Sequence, residues 1–277
     1  MLRILFHLAA VFCVLGSGFG LAAETPWQKP IDVEFTAKID GSAQRYVVML
    51  PKNLEPDKPV DLMVLLHGHG SDRWQFIAAD RDECRGLRDA AASYGMMVVS
   101  PDYRAKTSWM GPKAEADMLQ ILDMLREKYS IRYTLVCGGS MGASSALTFA
   151  GLHPDRVDGV VALNGTANHV EYNRFQDAIA QSFGGTKAQV PREYERRSAE
   201  LNAEKLTMPI AATVGGRDQS VPPDSVRRLF ARLKQQGRRV LLIDRPEGGH
   251  STTYADTLAA ARFVAEQVRR QDSMRRP

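Results

Sequence analysis

The chain predicts an α/β fold, a doubly wound and mostly parallel sheet with helices on both faces. Three observations carry this expectation. Short apolar runs rich in Val, Ile and Leu recur along the chain without a polar face, as strands do when helices cover both sides of a sheet. Segments with a helical apolar period separate those runs, so strand and helix alternate. Glycine-rich turns bearing Ser, His or Asp follow several of the runs, which puts reactive side chains at the carboxyl ends of the strands, where such sheets carry their sites.

The elements fall in order as follows. Met1-Leu2-Arg3 precedes an apolar stretch from Ile4 to Leu15 and a small-residue end from Gly16 to Ala23, the pattern of a secretory signal peptide cleaved after Ala22 or Ala23. The apolar stretch is too short for a membrane span. Cys13 lacks the Leu-small-small residues that would mark a lipid anchor, so the mature protein is expected to be exported, periplasmic or extracellular, with no stable membrane insertion. Residues 24–277 read as one catalytic domain: the 277-residue chain is 44% hydrophobic, enough for one large core, and no stretch reads as a linker. Strands are expected at 45–50, which alternates, and then at 61–66, 96–100, 133–137, 159–163, 210–214 and 240–243. Helices are expected at 81–93, 113–129, 141–153, 225–236 and 252–271. Residues 166–206 break the alternation. They exceed an ordinary crossover and carry Asn173, Phe175, Phe183-Gly184-Gly185 and Pro191, so a short helical lid or pocket wall is expected there, the alternative being an elaborate crossover that meets no substrate.

Export would place Cys84 and Cys137 in an oxidising compartment, yet Cys137 lies in a central strand where a buried free thiol is ordinary packing, and no bridge is expected. Neither cysteine has a partner at ligand spacing, so no metal is expected. The formal net charge is +4, or +3 without the leader, which holds Arg3 and no acid. That balance is mild, and no basic stripe interleaved with aromatics suggests nucleic acid. Arg269-Arg270 and Arg275-Arg276 read as a solvated helix end.

Gly138-Gly139-Ser140-Met141-Gly142 is the most informative stretch, because it stands between an expected strand and an expected helix. Glycines two places either side of the serine form G-x-S-x-G, whose sharp turn lifts the hydroxyl above the sheet edge. The free amides and positive end of the following helix then face any oxyanion formed there. A serine hydroxyl needs a base, and the base needs an orienting acid. Asp218 follows the strand at 210–214 and His250 follows that at 240–243, so the order Ser140, Asp218, His250 puts all three past strand ends. Other residues fit less well: His7 leaves with the leader, His153 ends a helix where it can meet the last carbonyls, His169 lies in the 166–206 segment, and Asp72 and Asp102 precede the serine. His67-Gly68-His69-Gly70 follows the strand at 61–66 and offers backbone amides. Those of His69 and Met141 are the expected oxyanion donors. A phosphate loop would instead carry Lys-Ser or Lys-Thr into its helix.

With elbow, oxyanion loop, acid and base in order, the chain from Arg45 onward resembles an α/β-hydrolase. Trp109-Met110-Gly111, Glu115-Ala116-Asp117, His153-Pro154-Asp155 and Phe183-Gly184-Gly185 resemble the esterase group that includes acetylxylan and feruloyl esterases, S-formylglutathione hydrolase and polyhydroxyalkanoate depolymerases. Gly-Gly-Arg-Asp and Gly-Gly-His-Ser also resemble dienelactone-hydrolase and prolyl-oligopeptidase-like catalytic domains. Ser140 at the elbow disfavours a cysteine nucleophile, and the lack of a preceding propeller counts against an oligopeptidase. The resemblance implies a secreted serine esterase without cofactor, acting on a small-molecule or polysaccharide ester such as an acetyl or feruloyl ester of carbohydrate. A peptidase with the same triad, its pocket shaped by Trp109 and residues 166–206, and a non-catalytic binding protein are the alternatives. Trp109 and Tyr103 are candidate substrate-binding residues, and they and Trp74 and Phe76 read equally well as core. Asn164-Gly165-Thr166 is a glycosylation sequon to which no role is assigned.

Overall fold

A computed structural model describes residues 25–275 apart from Pro56, with side chains described to residue 270. The expected leader at 1–23 lies outside the described residues. Eight strands form one sheet: β1 (Ile31–Thr36), β2 (Ala43–Met49), β3 (Val60–Leu66), β4 (Met97–Pro101), β5 (Ile131–Gly139), β6 (Gly159–Leu163), β7 (Ile210–Gly215) and β8 (Val240–Arg245), in the order β1-β2-β4-β3-β5-β6-β7-β8. β2 runs antiparallel to β1 and β4, and the remaining pairs are parallel. The helices are α1 (Gln75–Ala78), α2 (Asp82–Ser93), α3 (Pro112–Lys128), α4 (Met141–Leu152), α5 (Gln176–Phe183), α6 (Pro191–Arg196), α7 (Asp224–Gln235) and α8 (Tyr254–Arg275).

Alternate strand residues feed two cores. Leu62, Val64, Leu66, Val136, Val160, Ala162, Ile210 and Ala212 point to one side, where Met118, Ile121 and Leu125 of α3, Leu147 of α4 and Leu229 and Phe230 of α7 cover them. Met63, Leu65, Leu135, Cys137, Val161 and Ala211 point to the other, against Leu87 and Ala90 of α2 and Ala261, Val264 and Ala265 of α8. Burial on both sides explains why these strands read as unbroken apolar runs. Cys84 and Cys137 are free, buried thiols on this second side, and burial raises the pKa of each.

The expected strands and long helices are present with ends shifted by a few residues. The sheet has one strand more than expected. β1 is an edge strand of which Phe35 is the one buried residue, so Ile31-Asp32-Val33-Glu34 leaves a weak apolar signal. Two surface expectations are corrected. Arg269 is no free helix end: its Nη2 donates to the buried Asp61 carboxylate at 2.7 Å and to the Tyr94 carbonyl at 2.8 Å, joining α8 to the start of β3. His153 meets the Glu115 carboxylate of α3 at 2.9 Å rather than a helix carbonyl.

Residues 166–206 contain α5 and α6, so the segment is helical as expected. It is clamped by Arg197, whose fully buried guanidinium donates to Glu193 at 2.9 Å, to Glu115 at 2.6 Å and to the Met110 carbonyl at 2.5 Å. Burial works against ionisation of Glu115, but its hydrogen bond to His153 and the charge of Arg197 outweigh burial and hold its pKa down to about 2.

Nearby, His169 is fully buried, and burial followed by the charges of Arg197 and Lys187 holds its pKa down to about 3. The folded state therefore keeps this imidazole neutral, whereas the unfolded chain binds a proton near pH 6.5. Its contribution to stability is complete above pH 6.5 and is lost as pH falls towards 3, about 2 kcal/mol between pH 6.5 and 5. Urea unfolding of His169→Gln at those two pH values should show a shallower acid loss than the parent. Equal losses would assign the acid sensitivity to other groups.

Candidate active site

The carboxyl ends of β3, β5 and β6 lie in register, with Leu66 opposite Gly138 and Gly139 opposite Leu163. Ser140 follows at once and adopts φ 57° and ψ −120°, a conformation costly for a residue with a side chain, of order 1–3 kcal/mol. Its amide donates to the Leu163 carbonyl at 2.8 Å, so the sheet holds the strained residue. The flanking glycines are steric necessities. A Cβ on Gly142 would stand 1.9 Å from the Leu66 carbonyl oxygen, and one on Gly138 would stand 2.5 Å from the Gly142 backbone. α4 can begin against the end of β3 only because neither atom is there.

Asp218 and His250 reach the serine from the ends of β7 and β8. The Arg217 amide donates to the Gly248 carbonyl at 2.8 Å, and a Cβ on Gly215 would stand 2.2 Å from the Gly249 carbonyl oxygen, so the two turns interlock. Asp218 Oδ1 accepts the amides of Ser220 and Val221, each at 2.9 Å, which fixes the buried carboxylate and turns Oδ2 towards the imidazole. His250 Nδ1 lies 2.6 Å from that Oδ2, and its Nε2 lies 2.9 Å from Ser140 Oγ. With the Nδ1 proton donated to the carboxylate, Nε2 is left to accept the serine hydroxyl proton.

The other histidines and acids are used elsewhere. Asp102 accepts the Arg73 amide at 2.9 Å and its guanidinium at 3.0 Å, and Asp72 caps the Trp74 amide at 2.9 Å. His67 is buried between the Gly68 and Asp102 carbonyls, and burial lowers its pKa. His69 lines the cleft, whereas Met141 is the buried first residue of α4, where helix amides lack internal partners.

Tyr103 and Trp109, which the sequence left equally as substrate contacts or core, stand behind the cleft, each 1% exposed. The Tyr103 hydroxyl donates to the His67 carbonyl at 2.6 Å, and the Trp109 indole N–H donates to His69 Nδ1 at 3.2 Å. Both therefore hold the His67–Gly70 loop. Residues 166–206 reach the same loop through Phe175, whose ring centroid lies 4.4 Å from that of the cleft-lining His69. The segment thus packs on the loop beside the cleft.

That cleft, of about 210 Å³, is lined by Gly68, His69, Ser71, Gln75, Arg81, Glu83, Gly139, Ser140, Leu163, Asn164, His250 and Thr252. Sequence reasoning missed several of these. Asn164, at φ 53°, takes the amide orientation in which it donates to the Thr213 carbonyl and accepts from the Ser251 amide and the Thr252 hydroxyl, each at 3.2 Å, so it steadies the loop that carries His250. An Asn-Gly pair directly after an apolar run was the available signal. Gln75 accepts the Gly68 amide at 2.8 Å. Arg81 and Glu83 sit at the start of α2 and left no motif. Among the described residues no group of three or more His, Cys, Asp or Glu is arranged to hold a metal, and no helix is long and apolar enough to cross a membrane.

The family model for the prolyl oligopeptidase family, peptidase S9, matches residues 91–269. The chain belongs to that family. It shares the α/β-hydrolase fold with a putative dipeptidyl aminopeptidase IV from Bacteroides ovatus, at TM-score 0.69 and 16% identity over 88% of this chain and 36% of that one. It also shares it with a ferulic acid esterase, at TM-score 0.66 and 18% identity over 86% and 98% of the two chains. Epoxide hydrolase B of Mycobacterium tuberculosis is 31% identical over 116 residues, a segment spanning 39% of this chain and 30% of that relative. This S9-family chain therefore places its Ser-His-Asp constellation on an α/β-hydrolase sheet.

The steric argument at the elbow gives a direct test. Gly142→Ala must displace the backbone of α4 or β3 and should destabilise the fold by about 1–3 kcal/mol, read from the urea midpoint. Unchanged stability would mean that the elbow relaxes freely.

Proposed function

We propose that the protein is an exported serine hydrolase that cleaves carboxylic esters through an acyl-enzyme on Ser140. The observation that carries this reading is the unbroken chain Ser140 Oγ, His250 Nε2, His250 Nδ1 and Asp218 Oδ2, at 2.9 and 2.6 Å, opening into a cleft. His250 takes the hydroxyl proton as Oγ attacks the ester carbonyl, and the developing oxyanion is received by the amides of His69 and Met141. The C–O bond to the alcohol breaks as His250 returns that proton to the leaving oxygen. Water then repeats the sequence on the acyl-enzyme and frees the acid. The fold shared with a ferulic acid esterase supports an ester substrate, and acetyl or feruloyl esters of carbohydrate are the class proposed. The leader-like residues 1–23 support export.

A peptidase using the same residues is the second reading, and the S9 family match is what favours it. The chemistry differs only in the leaving group, so acyl esters compared with short peptide amides separate the two. An amide preference would reverse their order.

Ser140→Ala should abolish ester hydrolysis and labelling by a fluorophosphonate probe while the fold, read by circular dichroism, persists. Asp218→Asn should lower kcat by about 10³–10⁴-fold. Retained turnover in the serine variant would remove Ser140 from the mechanism, and an unlabelled parent that turns over neither esters nor amides would favour a binding role.

A further inference from the structure

Arg81 and Glu83 form an ion pair on the wall of the cleft that contains Ser140 and His250, and the acyl-transfer chemistry above makes no use of it. The two partners are unequally placed. The Glu83 side chain is 11% exposed and that of Arg81 is 60% exposed. A buried carboxylate needs a partner, so Glu83 ties the guanidinium to the wall instead of leaving it to sweep through solvent. Arg81 in turn covers Glu83 and keeps spare donors, since a guanidinium carries five N–H groups in a planar fork and one carboxylate takes at most two. Of the two charges on this wall, the cation is therefore the more exposed to a group in the cleft. Around it the wall offers Gln75, Asn164 and Thr252, which are uncharged.

We propose that Arg81 is a specificity-determining residue that binds a carboxylate carried by the substrate, so that the preferred substrates are acyl compounds bearing a negative charge near the scissile bond. The proposal rests on the reading of Ser140 as the nucleophile of this cleft. Glu83 is the positioning residue for Arg81, and the planar fork suits a carboxylate better than a single ammonium would.

The test compares kcat/KM for matched esters with the charge on either side of the scissile bond: the 4-nitrophenyl monoester of adipic acid against 4-nitrophenyl hexanoate, and 4-acetoxybenzoate against its methyl ester. The parent should favour the anionic member of at least one pair. Arg81→Gln should lower that anionic-to-neutral ratio about tenfold, equivalent to about 1.4 kcal/mol, chiefly through KM. Arg81→Lys should retain part of the ratio, and Arg81→Glu should invert it. Because Arg81→Gln leaves Glu83 buried without its partner, the double variant Arg81→Gln/Glu83→Gln serves as the folded control and should lose the ratio equally. A ratio unmoved by the Arg81 variants overturns the proposal. So does a preference for 4-(trimethylammonio)phenyl acetate that Glu83→Gln removes, which would assign the pair to a cationic group.

Failure of the ester reading shows separately, as absent Ser140-dependent turnover of the neutral esters. The Arg81 variants are then compared on succinyl-alanine and acetyl-alanine 4-nitroanilides, with the same ratio deciding the charge inference. Absence of turnover on both ester and amide pairs overturns the two readings together.

Discussion

The approach of α4 to the end of β3 governs the candidate site. The Leu66 carbonyl lies so close to Gly142 that no side chain fits between them, and this contact presses Ser140 into its left-handed turn. The strain persists because the Leu163 carbonyl and the first turn of α4, where the Ser144 amide bonds the Ser140 carbonyl at 3.1 Å, hold the residue on both sides. A relaxed elbow would move the hydroxyl off the line to His250 and turn the helix amides away from the cleft. One short backbone contact thus orients both the Ser140 hydroxyl and the positive end of the helix.

The second requirement is a rigid loop opposite the elbow, and the structure meets it with buried polar supports. Tyr103, Arg104, Trp109 and Met110 all have positive φ, so the connection from β4 to α3 is strained at both ends and depends on its surroundings. Arg197 holds the Met110 carbonyl, Trp109 holds His69, and Tyr103 holds the His67 carbonyl. Arg73 adds a bridge between Asp32 on β1 and Asp102 after β4, at 2.9 and 3.0 Å. The aromatic and charged residues here serve the His67–Gly70 loop and the connection beside it. Burial is what distinguishes that service from substrate contact.

Much of this was legible in the chain. Continuous apolar runs marked the parallel strands because both their sides are covered, and the glycines around Ser140 marked a turn where backbones must touch. β1 was not legible, since an edge strand with one buried side chain carries little pattern. The roles of Tyr103 and Trp109 were also hidden. An aromatic residue has the same spelling whether it faces a substrate or the underside of a loop, and only packing separates the two.

The sequence by itself determined the alternation of strand and helix, the elbow and the order Ser140, Asp218, His250, because each follows from local periodicity and steric demand near one point of the chain. Tertiary structure alone decided that Asp218 Oδ2 and Ser140 Oγ meet opposite nitrogens of one imidazole, that residues 166–206 pack on His69, and that Arg81 and Glu83 share the cleft wall. Each of these brings together residues distant along the chain, the Arg81 and Glu83 pair by its place in the cleft of Ser140 and His250. Their distances are set by how the layers pack, a quantity that no local pattern carries.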